Sequence, residues 1–137
     1  MIKYNELDGK YITDIFPEAE QQINDELDGL NEFLPHIIFG NVLNPIVIQL
    51  LKRDDYSNSK QLLQVFDMYE DFASSGDTET QNLLQVTLLE ILWNEAITYE
   101  RAMELMGEKT KEIWDYIYSY LLELSRKVQS ENTQNLG

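Results

Sequence analysis

The stretch "LPHIIFGNVLNPIVIQLL" (34–51) decides how this chain folds. It carries no acidic residue, although the 137 residues hold 25 acidic against 10 basic side chains. It also contains the single histidine, His36, and two of the three prolines, Pro35 and Pro45. Burying an aliphatic side chain contributes roughly 1.5–3 kcal/mol, and soluble monomers rarely leave so large an apolar tract in water. Ile37, Ile38, Val42, Leu43, Val47, Leu50 and Leu51 are therefore expected inside. Carboxylates are costly to bury unpaired, which accounts for their absence here. Pro35 predicts a helix start, and Asn44-Pro45 reads as an N-cap followed by a first helical position. A break or kink is expected near residue 44, and Gly40 permits close approach by a neighbouring helix.

Outward from this stretch the pattern is helical throughout. Strict two-residue alternation is scarce, and Leu, Glu and Gln dominate over Val and Thr. A short helix is expected within 4–15. The next starts at Pro17, carries Ile23, Leu27 and Leu30 on one side, and ends or bends at Gly29. After the polar run "RDDYSNS", Ser59 predicts a cap for a helix over 60–74 with Leu62, Val65, Phe66, Tyr69, Phe72 and Ala73 as its apolar stripe. "SSGD" (74–77) closes that helix and opens another, with Gly76 suited to a left-handed C′ position and Asp77 to an N-cap. The segment 78–93 is apolar nearly all round, which predicts a central helix surrounded by others. Thr98 predicts the cap of a short helix ending before Gly107. The last long helix is expected over about 110–127, and "QSENTQNLG" (129–137) as a frayed tail. The expectation is an all-α fold: one irregular helical bundle of about five to seven helices over 1–128. HEAT-like stacking of helix pairs is the alternative, weakened because only one good repeat copy is visible.

Composition narrows the classes of function. With 43% apolar residues the chain can build a core. It has no cysteine, which excludes disulfide frameworks, thiolate metal sites and cysteine nucleophiles. No signal-peptide h-region and no membrane-length apolar run is present, so a cytoplasmic protein is expected. The formal net charge of −15 repels nucleic-acid phosphates and anionic lipid and attracts basic partners. The charge is uneven, with nine acids and two bases in 1–33, ten acids and one base in 54–100, and near balance in 101–137.

No catalytic motif stands out. A phosphate-binding Gly-rich loop, a nucleophile elbow and a metalloprotease helix are all absent. His36 follows Glu32 by four residues, but a metal site needs three or four ligands, and a backbone- or carboxylate-bonded histidine is the simpler expectation. Glu95, Glu100, Glu104, Glu108 and Glu112 read as solvated glutamates, since paired catalytic carboxylates need one partner buried. No metal, no cofactor and no enzymatic activity are expected. Two surfaces remain. Asp67, Glu70, Asp71, Asp77 and Glu79 cluster along one helix face and the following cap, as an acidic surface for a basic protein. Tyr116, Tyr118 and Tyr120 in "IWDYIYSYLLEL" (113–124) widen the apolar arc of the last helix beyond one packing face, as protein contacts do.

"LPHIIFG" (34–40) and "SGDTETQNLLQVTLLEIL" (75–92) resemble a group of short, acidic, all-helical bacterial proteins. That group includes members that look like immunity proteins of polymorphic toxin systems. The resemblance implies a binding protein encoded beside a toxin and transfers no catalytic residue. The functional expectation is thus a protein-binding module neutralising a basic toxin domain. The alternative is a structural or regulatory protein that forms a homodimer through its Tyr- and Trp-rich last helix.

Overall fold

Helix-forming segments separated by short polar turns give seven helices and, among the described residues, no β-strand. The structure is a computed structural model that describes the backbone of residues 1–136 and the side chains of residues 1–131. We number the helices α1 (Lys10–Thr13), α2 (Glu20–Leu27), α3 (35–51), α4 (Lys60–Ser75), α5 (78–94), α6 (Ala96–Leu105) and α7 (Glu108–Leu136). Short 3₁₀ turns precede α1 at Tyr4–Glu6, lead into α2 at Pro17–Ala19 and lie between α3 and α4 at Tyr56–Asn58.

The opening stretch does not break at Asn44-Pro45. α3 runs as α-helix over Pro35–Ile38, π-helix over Phe39–Leu43 and α-helix again over Asn44–Leu51. Asn44 has helical φ and ψ of −56° and −45° and caps nothing. Proline lacks an N–H, and inside a regular α-helix its ring clashes with the carbonyl four residues earlier. The wider π turn immediately before Pro45 absorbs that conflict without ending the helix. Ile38, Phe39, Val42, Leu43, Val47 and Leu51 are buried as expected. Ile37 is 40% exposed and Leu50 half-buried, because the helix that continues through Pro45 has one outward side.

α5 is irregular in a matching way. It passes from α-helix (Thr78–Leu83) through π-helix (Leu84–Leu89) to a 3₁₀ end (Glu90–Asn94). The two π segments pack against each other. Asn44 Nδ2 donates to the Thr87 carbonyl at 2.8 Å, and His36 Nδ1 lies 2.5 Å from Thr87 Oγ1. A Cβ added at Gly40 would sit 3.4 Å from Thr87 Cγ2, so the helices do approach closely there. α5 is not surrounded, however: Leu83, Leu84, Leu88, Leu89 and Leu92 are buried, while Val86 is exposed. The central helix is α4, which packs on α3, α5 and α7. It buries Leu62, Val65, Phe66, Met68, Tyr69, Phe72 and Ala73.

The caps follow from local chemistry. Ser59 Oγ accepts from the Leu62 N–H and Asp77 Oδ1 from the Thr80 N–H, as expected of N-caps. Gly29 takes the left-handed φ of +87° just beyond α2. Gly76 does not, having φ −76°; it is needed for space, because a Cβ would lie 2.4 Å from the Phe72 carbonyl oxygen. Thr98 sits inside α6 rather than capping it, and its hydroxyl donates to the Leu92 and Glu95 carbonyls. α7 starts two residues before the expected Thr110 and runs on through the stretch expected as a frayed tail. No Gly or Pro stops it before Gly137, which lies outside the described residues.

The α3–α5 contact predicts two graded effects. Asn44→Ala removes a part-buried hydrogen bond to the Thr87 carbonyl at this crossing and is expected to cost about 1 kcal/mol. Leu43→Ala leaves a cavity worth about 2–5 kcal/mol, and half-buried Leu50→Ala is expected to fall below it. Urea unfolding of the three variants measures the order.

Candidate functional site: an acidic groove beside the N-terminal segment

The N-terminal residues are held in place by backbone pairing that no local pattern announces. Ile2 N–H donates to the Ser75 carbonyl at 2.7 Å, and Asp77 N–H donates to the Ile2 carbonyl at 2.8 Å. The Tyr4 N–H donates to Asp77 Oδ2 at 3.1 Å, so this carboxylate both caps α5 and clips the N-terminus. Further along, Gln61 Nε2 donates to the Ile15 carbonyl at 3.0 Å and fixes α1 against α4.

Between these two attachments lies a groove of about 240 Å³. Its apolar lining is Ile2, Tyr11, Ile15, Met68 and Phe72, and its rim carries Asp14, Asp67 and Asp71 beside Gln64. Asp14 comes from the end of α1, whereas Asp67 and Asp71 stand one turn apart on α4. A neighbouring hollow shares Tyr11 and Asp14 and adds Glu6, Asp8 and Lys10. Side-chain ion pairs among the described residues are Lys52–Glu95, Arg53–Asp55 and Lys109–Glu112. None of the three groove carboxylates has a cationic partner among the described residues. A third hollow, lined by Tyr4, Phe33 and Leu34, carries Glu32 and Glu79. Burial first, then the charges of Glu79 and Glu32, raise the Tyr4 phenol above its ordinary value of 10.0.

The five acidic residues singled out in the sequence therefore divide. Asp67 and Asp71 line the groove, and Glu79 faces the Tyr4 hollow. Glu70 turns to α7: its carboxylate accepts from the Lys109 N–H (3.0 Å), the Thr110 N–H (2.8 Å) and the Thr110 hydroxyl (2.9 Å). It caps that helix from across the fold, and Gly107 makes room, since a Cβ there would meet Glu70 at 2.6 Å. Asp77 is occupied by its two backbone donors, and the Thr80 hydrogen bonds hold its carboxyl below the usual range. The tyrosines divide as well. Tyr118 leans on Trp93, ring centroids 5.9 Å apart, within a cluster that includes Trp114 and Tyr99. All three tyrosines are exposed, and among the described residues Tyr116 and Tyr120 make no such ring contact.

His36 packs on the Tyr4 ring and Thr87. Its partner is a hydroxyl rather than the expected backbone or carboxylate group. Among the described residues no group of three or more His, Cys, Asp or Glu is placed to hold a metal ion. No described helix is long and apolar enough to cross a membrane. Glu104 accepts the Tyr56 hydroxyl, and Glu95 pairs with Lys52 at 2.7 Å.

Fold and groove together define an all-α domain with a carboxylate-rimmed apolar recess. The model of one family, a domain of unknown function (DUF7674), matches residues 9–121, and the chain belongs to that family. No curated protein and no solved structure matches the chain.

The Glu70 cap carries a pH signature. Burial pushes its carboxyl up, but the Thr110 and Lys109 N–H groups, the Thr110 hydroxyl and the Lys109 charge outweigh this and lower it from 4.5. A carboxylate lowered in the folded state contributes stability above its unfolded value and loses it as pH falls through the folded one. Glu70→Gln is expected to cost about 1 kcal/mol at pH 7, as for a lost helix cap. That difference from the unaltered chain should shrink as pH falls below 4.5. Urea midpoints measured from pH 7 to pH 3 check both points.

Proposed function

We propose that this chain is a non-enzymatic binding protein, and that its groove takes a basic, partly apolar segment of another protein. The observation that carries the proposal is the placement of Asp14, Asp67 and Asp71, without cationic partners, around the apolar surface of Ile2, Tyr11, Met68 and Phe72. An arginine or lysine side chain matches such a recess, its aliphatic stem on the apolar lining and its charge at the rim. The net charge of −15 adds long-range attraction for the same partner and speeds encounter.

Within that class, the resemblance of residues 34–40 and 75–92 to immunity-like proteins supports a basic toxin domain as the partner, met inside the cell. A protein of this charge covering a basic active surface would keep anionic substrates such as nucleic acid away from it. Inhibition then follows from occupancy alone and requires no catalytic residue in this chain.

The product of a neighbouring gene encoding a basic domain is the partner to purify and titrate. Binding is expected to weaken steeply with salt. Asp14→Asn/Asp67→Asn/Asp71→Asn should slow association by about tenfold or more with a smaller change in dissociation, since rim charges act mainly on encounter. All three side chains are exposed, so folding is expected to survive. Failure of every neighbouring product to bind, or a triple variant that binds unchanged, would overturn the proposal.

A further inference from the structure

Residues 1–6 are attached to the body more lightly than the residues that follow them. None of the six is fully buried, whereas Leu7, Ile12 and Phe16 lie in the core. Among the described residues, their hydrogen bonds beyond Leu7 all end on Ser75, Asp77 or Thr80, at the turn from α4 into α5. Ile2 N–H donates to the Ser75 carbonyl, and the Ile2 carbonyl accepts from the Asp77 N–H at 2.8 Å and the Thr80 hydroxyl at 3.4 Å. The Tyr4 N–H donates to Asp77 Oδ2. Half-buried Ile2 and Tyr4 supply the packing, with the Tyr4 ring 5.9 Å from His36.

A segment with few buried contacts opens locally at less cost than the whole domain unfolds. Its release leaves the fold in place, since α1 stays anchored through Ile12, Phe16 and the Gln61–Ile15 hydrogen bond. The groove does not survive in the same form. Ile2 lines it together with Met68 and Phe72, which are themselves buried. Opening takes this apolar wall away, so an occupant of the groove finds fewer contacts in the open form than in the closed one. A ligand that favours one of two forms shifts the population toward it.

Asp77 holds the closed form with one oxygen for each task. Oδ1 accepts from the Thr80 N–H and caps α5, and Oδ2 accepts from the Tyr4 N–H. An asparagine caps a helix about as well as an aspartate. Its amide has a single oxygen, however, and with that oxygen on Thr80 it turns an NH2 donor toward the Tyr4 N–H. The attraction between Lys3 and the Asp77 carboxylate is lost as well. Asp77→Asn therefore separates the clip from the cap.

On the reading of the groove as a site for a basic, partly apolar segment, we propose that residues 1–6 are a strap that opens as a unit, that such a segment holds it shut, and that Asp77 positions it.

Amide hydrogen exchange of the full chain, followed by NMR, tests the proposal, with the peptide acetyl-Leu-Arg-Leu-Arg-Leu-amide as the probe. The Tyr4 and Asp77 amides are expected to exchange faster than those of Val65 and Phe66 in α4, at a rate indifferent to low urea. Asp77→Asn should speed them by about tenfold, as for a lost hydrogen bond to a charged group, with the Thr80 amide little changed. Peptide at about ten times its dissociation constant should slow them by roughly fivefold or more in the unaltered chain, because it favours the closed strap. Strap amides that exchange only as slowly as those of α4 overturn the proposal, and so do strap amides that Asp77→Asn leaves unchanged. A peptide that binds, and binds less well to Asp14→Asn/Asp67→Asn/Asp71→Asn, yet leaves strap exchange unaltered, overturns the proposal while the groove reading stands. A peptide that does not bind the unaltered chain overturns both.

Discussion

The crossing of α3 and α5 at Thr87 is the constraint on which the rest of the fold depends. Each helix widens into a π turn where it meets the other, and the buried Asn44 side chain donates across the junction to a main-chain carbonyl. A buried carbonyl left without a donor is costly, and a proline in a regular helix is costly as well. The π turn before Pro45 meets the second requirement, and Asn44, which precedes that proline, provides the donor at Thr87. With α3 continuous, its outer half reaches α6, where Arg101 Nη1 donates to the Leu51 and Arg53 carbonyls and closes the helix end. The inner half covers α5 and so sets the wall against which α4 is buried.

α4 then distributes the acidic residues according to direction. Residues 67, 70 and 71 fall within an arc of about 100° on one side of the helix, with Glu70 at its edge, so what each edge of that side faces decides the division. Asp67 and Asp71 face the N-terminal segment and build the groove. Glu70 faces α7 and holds its first turn, where a carboxylate also complements the helix dipole. One acidic run thus supplies both a surface and a structural cap.

The acidic groove was half legible in the sequence. Asp67 and Asp71 stand out because the helix stripe opposite them is clear. Asp14, Ile2 and Tyr11 carry no local signal, since they reach the groove only through hydrogen bonds from residues 2 and 15 to the two ends of α4. Asn44 was misread for a related reason. Asn before Pro is the ordinary signature of a helix start, and only the Thr87 carbonyl, 43 residues away, gives its side chain a different use.

Sequence alone determined the helical class, the caps at Ser59 and Asp77, the turn at Gly29, the α4 stripe and the sign of the surface charge. These depend on composition and on spacings within a turn or two of helix. The tertiary structure decided that α3 runs through its proline, that α4 and not α5 is central, that Glu70 and Asp77 hold the fold together, and that α7 outruns the body. Each of those outcomes depends on a partner distant in sequence, or on the place where packing partners end, and neither is encoded in local periodicity.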